Sequence, residues 1–178
     1  MNFETLSQWR RSAFCAAMAE RNRNHVILFS EMSEQDSKPY TKLLTKTWAF
    51  LEGELKSLDN LERFFNEFDQ WQSVLLNEQD SFGAEAAQQA CQSLYSASYA
   101  LLDETANDCD LVQLSNQQLF TAMEEMGQES SELALRQSEF EQQVFDLLTS
   151  TKPKRETIIA LKTLASSEKE SSLGITLD

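Results

Sequence analysis

Four side chains exhaust the histidine and thiol chemistry of this 178-residue chain: His25, Cys15, Cys91 and Cys109. A Cys–His nucleophile needs its thiol within reach of an imidazole base, so His25 with Cys15 or Cys109 is the pair to weigh. Cys15 stands in "SAFCAAMA" and Cys91 in "AAQQACQSL", surroundings that suit small core hydrophobes rather than thiolates. A di-iron centre in a helical bundle takes a Glu-x-x-His from each of two helices, which one histidine cannot supply. Zinc wants clustered Cys and His, and the three cysteines share no C-x-x-C spacing. G-x-x-x-x-G-K-[ST], G-x-G-x-x-G and G-x-S-x-G are all missing.

Acids are plentiful but not arranged for chemistry. Asp103–Glu104 and Glu124–Glu125 are sequence neighbours, so their side chains diverge around a helix and read as solvated. No acidic spacing singles out a magnesium site. "ERNRNH" places Glu20, Arg21, Arg23 and His25 where one helix gives way to another. The reading there is structural pairing, with His25 partly buried and replaceable by alanine without loss of the fold. The sequence therefore names no catalytic residue, no metal ligand and no cofactor.

Charge is segregated. Residues 1–56 hold eight Lys/Arg against seven Asp/Glu, and residues 152–178 hold five against four. Residues 57–151 hold only Arg63 and Arg136 against eighteen acids, and the formal net charge is −14. So acidic a middle repels a phosphate backbone, which argues against nucleic acid as a partner. It reads first as a solvated face and second as a surface that recruits basic partners or cations. "MNFETLSQWRR" lacks the apolar core of a signal peptide, and the longest apolar run, "HVILF", is far too short to cross a membrane. An odd, unpatterned cysteine set fits a reducing compartment. The expectation is a cytoplasmic protein with no membrane span.

Four Gly and two Pro are too few for the turns of an all-β fold, so long helices must position whatever site exists. Apolar periodicity predicts an all-α, single-domain antiparallel bundle of seven to eight helices over residues 1–167, with a tail at 168–178. The first helix runs from about Glu4 to Arg21, with Leu6, Trp9, Ala13, Ala16 and Ala17 on one face and Phe14 and Met18 widening it. After a break near Asn22–Asn24, "NRNHVILFSEM" continues it. The third is capped at Asp36 or Ser37, has Pro39 in its first turn and stops at Gly53. The fourth opens on a capping box, Asp59 with Glu62, and carries Leu61, Phe64, Phe65, Phe68, Trp71 and Leu75 as a core stripe.

The fifth, "GAEAAQQACQSLYSASYALLDE", has one narrow polar stripe of Glu85, Gln89, Gln92, Ser96 and Asp103; the rest is small or apolar. A helix apolar over most of its circumference must be surrounded by others, which makes it the central Ala/Ser-rich post. The sixth starts near Asp110 or at Ser115, the seventh spans Ser130–Leu148, and Thr151 caps the last ahead of Pro153. In the tail, Leu173, Ile175 and Leu177 alternate with Gly174, Thr176 and Asp178. That period of two predicts an extended segment docked in a groove of its own bundle or on a neighbouring subunit.

"LSQWRRSAFCAAMAERNRNHVILFSE", "LFTAMEEM" and the ending "SSLGITLD" resemble the YjaG-like family of bacterial proteins of unknown function. That resemblance implies an all-helical fold and a bacterial cytoplasmic setting, and it carries over no site residue. It also implies a chain shorter than the family pattern between Asp80 and Leu148. Fold and charge together predict an interaction or regulatory module with a protein partner or self-association. The alternative is a small-molecule-binding protein or an enzyme with an inter-helix pocket. A third reading is an acidic decoy that occupies the nucleic-acid-like site of a basic partner.

Overall fold

The computed structural model describes residues 1–177, so Asp178 of the expected tail lies outside the described residues. A short 3-10 turn at Phe3–Thr5 precedes α1 (Gln8–Arg21), α2 (Arg23–Met32), α3 (Lys38–Glu52), α4 (Leu58–Leu75), α5 (Phe82–Leu102), α6 (Cys109–Glu125), α7 (Ser131–Leu148) and α8 (Lys154–Ser167). Among the described residues there is no strand.

The centre of the fold is a helix pair. Gln8 Nε2 donates to the Ala100 carbonyl at 2.9 Å, Ser12 Oγ to the Ala97 carbonyl at 2.7 Å, and Asn22 Nδ2 to Gln89 Oε1 at 2.9 Å. Rising numbers on α1 meet falling numbers on α5, so the two run antiparallel. Close approach needs small side chains, and both helices supply them. Ala13, Ala16 and Ala17 on α1, and Ala87, Ala90 and Ala97 on α5, are all 0% exposed.

Bulk arrives from the outer helices. The Tyr40 hydroxyl of α3 donates to the Ala19 carbonyl at 2.7 Å, and Phe65 of α4 packs on Tyr95 with ring centroids 4.9 Å apart. α2, α3, α4 and α6 surround α5, while α3, α7 and α8 close over α1. Leucine at Ala90 or Ala97 should overpack this seam and destabilise the fold by about 1–3 kcal/mol. A thermal melt should show the midpoint fall by roughly 2–12 °C; an unchanged midpoint would contradict the central pairing.

Several local expectations need correction. α1 has no single buried face: every residue from Ser12 to Arg21 is buried, because helices cover it on all sides. For the same reason Gln89 and Ser96 of the polar stripe on α5 are each only 3% exposed. α4 is capped by Ser57, whose Oγ accepts from the Asn60 N–H, which leaves Asp59 inside the first turn. α6 begins at Cys109, so Ser115 is interior and its hydroxyl donates to the Val112 carbonyl. α8 begins directly behind Pro153, which takes the position expected for Thr151. α3 keeps Pro39 in its first turn and ends at Gly53, whose φ of 81° suits glycine.

Candidate functional site

α1 and α2 are joined by one residue. Asn22 leaves helical geometry at φ −102°, ψ 13°, yet serves as the last cap of α1 and the first of α2. No glycine or proline forces this break. Its amide is instead drawn sideways, since Asn competes with helix by bonding elsewhere. Nδ2 donates to Gln89 Oε1 of α5 and, at 3.1 Å, to Asn116 Oδ1 of α6. Oδ1 accepts the Ser172 N–H at 3.0 Å, so the joint holds the C-terminal segment.

The flanking residues face the same way. Arg21 NH1 reaches Glu168 Oε2 at 2.7 Å, its Nε donates to Gln137 Oε1 at 3.0 Å, and its guanidinium lies over the Phe140 ring at 4.5 Å. Asn24 Nδ2 donates to two carbonyls, Lys169 at 3.1 Å and Ile175 at 2.9 Å. His25 Nε2 meets Ser171 Oγ at 2.7 Å. Residues 21, 22, 24 and 25 thus form a clasp on residues 168–175. Glu20 turns inward to accept from Trp48 Nε1 at 3.3 Å and pairs with Arg23 at 3.4 Å.

The clasped segment is folded on itself. The Ser171 N–H donates to the Ile175 carbonyl and the Gly174 N–H to the Ser171 carbonyl, each at 3.0 Å. Gly174 sits at φ 72°, the left-handed value this turn requires. Ser171 Oγ accepts the Leu173 and Ile175 N–H groups, both at 3.2 Å. With both lone pairs taken, its proton must point at His25 Nε2, so His25 carries its own proton on Nδ1. Nδ1 makes no hydrogen bond of good geometry, the Ala86 backbone being the ring's other polar neighbour, and the buried Ser172 Oγ has no partner among the described residues. Burial falls on Ser171 and Ser172; Leu173 and Ile175 are half-buried, and Leu177 is exposed.

Burial lowers the His25 pKa from 6.5 to about 4, with the Ala86 backbone opposing more weakly. His25 is 2% exposed rather than partly buried. Farther along the network, burial raises the Glu141 pKa against the pull of its two amide donors, Gln113 at 2.9 Å and Gln137 at 3.0 Å.

Ser171 and His25 stand at nucleophile–base distance. The hydroxyl is nevertheless sealed inside a turn, and no carboxylate orients Nδ1. The pair holds a fold rather than attacks a substrate. Nor does His25 meet a thiol: its partner is Ser171, while Cys15 and Cys109 face each other. Among the described residues no three of His, Cys, Asp or Glu converge as metal ligands. Asn22, Asn24 and Ser171 were missed in the sequence. Their one signal is a run of amides and charges directly after the wholly apolar "SAFCAAMA", since a helix buried on every side must hand its polar end to something.

The sequence matches the family described as "Protein of unknown function (DUF416)" over residues 1–176. The chain belongs to the DUF416 family. It is similar to an uncharacterised protein of Haemophilus influenzae, 29% identical over 188 residues that cover 97% of this chain and 93% of that one. It is also similar in structure to a DUF416 family protein from Shewanella baltica OS155. The TM-score is 0.80 at 17% identity, over 98% of this chain and 96% of that one. At that identity the likeness shows the fold, an all-helical one.

Beyond the clasp, this DUF416 chain has an open groove of about 410 Å³ between α5 and α6, lined by Glu85, Gln88, Gln92, Ser115 and Gln118 among others. No helix among the described residues is long and apolar enough to cross a membrane. Of the acids in residues 57–151, only Glu132 has a described cationic partner within 4 Å, namely Arg136.

Proposed function

We propose that the protein is an interaction module whose recognition site is the α1–α2 clasp and whose resting ligand is its own C-terminal segment. One observation carries the reading: Arg21, Asn22, Asn24 and His25, from a single junction, all bond to residues 168–175. Within that segment, Asn22 and Asn24 contact backbone N–H and carbonyl groups rather than side chains. A site that reads backbone accepts more than one sequence, as other peptide-binding surfaces do. The unpartnered Ser172 Oγ leaves hydrogen-bonding capacity unused in the resting state.

A protein partner that presents a serine-containing turn competes for the clasp, and the unpaired acids between residues 57 and 151 favour a basic partner over nucleic acid. A cytoplasmic setting and a YjaG-like placement within the family belong to the same proposal; both rest on the sequence motifs.

Deleting residues 168–178 should leave a folded chain that binds a synthetic peptide of those residues saturably. Asn24→Ala should weaken that binding about tenfold, since it removes two hydrogen bonds of about 0.5–1.5 kcal/mol each. A folded, truncated chain that ignores the peptide in calorimetric titration would refute the reading.

The α5–α6 groove favours a second reading, a small-molecule site. Its amide lining suits a neutral ligand with several hydrogen-bonding groups. A metabolite that raises the melting midpoint of the wild type and loses that effect on Gln92→Ala would support it.

A further inference from the structure

Cys15 and Cys109 are 94 positions apart in sequence, yet their sulfurs lie 3.9 Å apart in the interior. Cys15 is in the middle of α1. Cys109 is the first residue of α6, and its sulfur also lies 3.6 Å from the Arg11 carbonyl of α1. All three cysteines are free thiols. We propose that Cys15 and Cys109 form a dithiol pair that a low-molecular-weight disulfide oxidises to an internal disulfide, tying α1 to the start of α6. The inference is independent of the clasp.

Geometry carries it. A disulfide needs sulfurs about 2.05 Å apart, so the gap must close by roughly 1.9 Å, a movement that side-chain rotation and fraying of one helix end together provide. α6 offers such an end at Cys109. The loop that covers it, residues 103–108, exposes Glu104 and Thr105, and Arg11 NH2 pins it through the Glu104 carbonyl at 2.7 Å. Loosening that contact opens a path to Cys109 first. Cys15 is held in mid-helix with no free end beside it, and its hydrogen bond with Cys109, together with burial, keeps its thiol protonated. Cys109 is therefore the entry sulfur and Cys15 the resolving one.

The exchange balances in two steps. Cys109 loses its proton and attacks one sulfur of the reagent, the reagent's S–S bond breaks, and the released thiolate takes up the proton. Cys15 then loses its proton and attacks Cys109 Sγ, so the second reagent thiolate leaves and is protonated. In sum the two cysteines give up two electrons and two protons, and the reagent is reduced to two thiols.

Incubating the folded chain with glutathione disulfide tests this. The expected product is a monomer lighter by two hydrogens, with a proteolytic peptide joining Cys15 to Cys109 and Cys91 still free. Its melting midpoint should rise by roughly 5–15 °C, and dithiothreitol should reverse the rise. Cys15→Ala and Cys109→Ala should each abolish the shift, while Cys91→Ala should keep it. The proposal fails if all three thiols stay free in the folded chain while the urea-unfolded chain oxidises. It also fails if the bond joins Cys91 or two separate chains.

Discussion

Asn22→Leu should destabilise the protein by about 3–5 kcal/mol, the largest effect expected of any single polar replacement here. Leucine matches asparagine in branching and heavy-atom count but is bulkier, so no cavity forms and the loss is one of partners, with some overpacking added. Gln89 Oε1, Asn116 Oδ1 and the Ser172 N–H each lose their bond to the same side chain. An unsatisfied buried donor or acceptor costs about 1–3 kcal/mol, and the added apolar contact offsets only part of three such losses. Gln89 and Asn116 keep their other bonds, to Ser93 and the Val112 carbonyl, so the damage stays local. Urea titration should show the midpoint shift with little change in slope. A loss below about 1 kcal/mol would mean that the joint does not bear on the fold as its bonds suggest.

The second large effect is one of pH. His25 has a folded pKa of about 4 against 6.5 unfolded. Between these values the unfolded chain binds the extra proton, so stability rises with pH across the window and is lost as pH falls from about 7 toward 4. A difference of this size corresponds to roughly 3 kcal/mol. Glu141 acts in the opposite sense: its raised pKa makes the folded state hold a proton longer, so it removes stability as pH rises above 4.5. The two windows overlap, which makes the raw wild-type curve ambiguous. The difference between wild type and His25→Gln isolates the histidine. That difference should shrink by roughly 3 kcal/mol from pH 7 to pH 4, and equal pH dependence in both chains would remove His25 from the account.

Much of the framework was legible because its causes are local. Pro39 and Gly53 bracket α3, and Leu61, Phe65 and Phe68 of α4 recur at the helical period and are buried. α1 was misread because periodicity reports one wet and one dry side, and a helix dry all round leaves no such contrast. Gln89 and Ser96 stand in a polar stripe yet are buried, because a polar residue on an encircled helix satisfies itself through neighbours that the wheel does not show. The clasp was illegible for a different reason. Asn22 and Ser172 are 150 positions apart, and nothing within a window of one helix relates them. What sequence did show was the break itself, in the run of Asn and Arg. It could not show that the break has a purpose beyond turning the chain.

The distance between Asn22 and Ser172 also sets an order of events during synthesis. The ribosome delivers α1 before the serine turn, so Asn22, Asn24 and His25 wait through the synthesis of α2 to α8 for their partners. Contacts of such long sequence separation form late, after the loop-closure cost has been met by everything between. A nascent chain therefore carries an empty clasp until residues 168–175 have been made, and their arrival is the event that fills it.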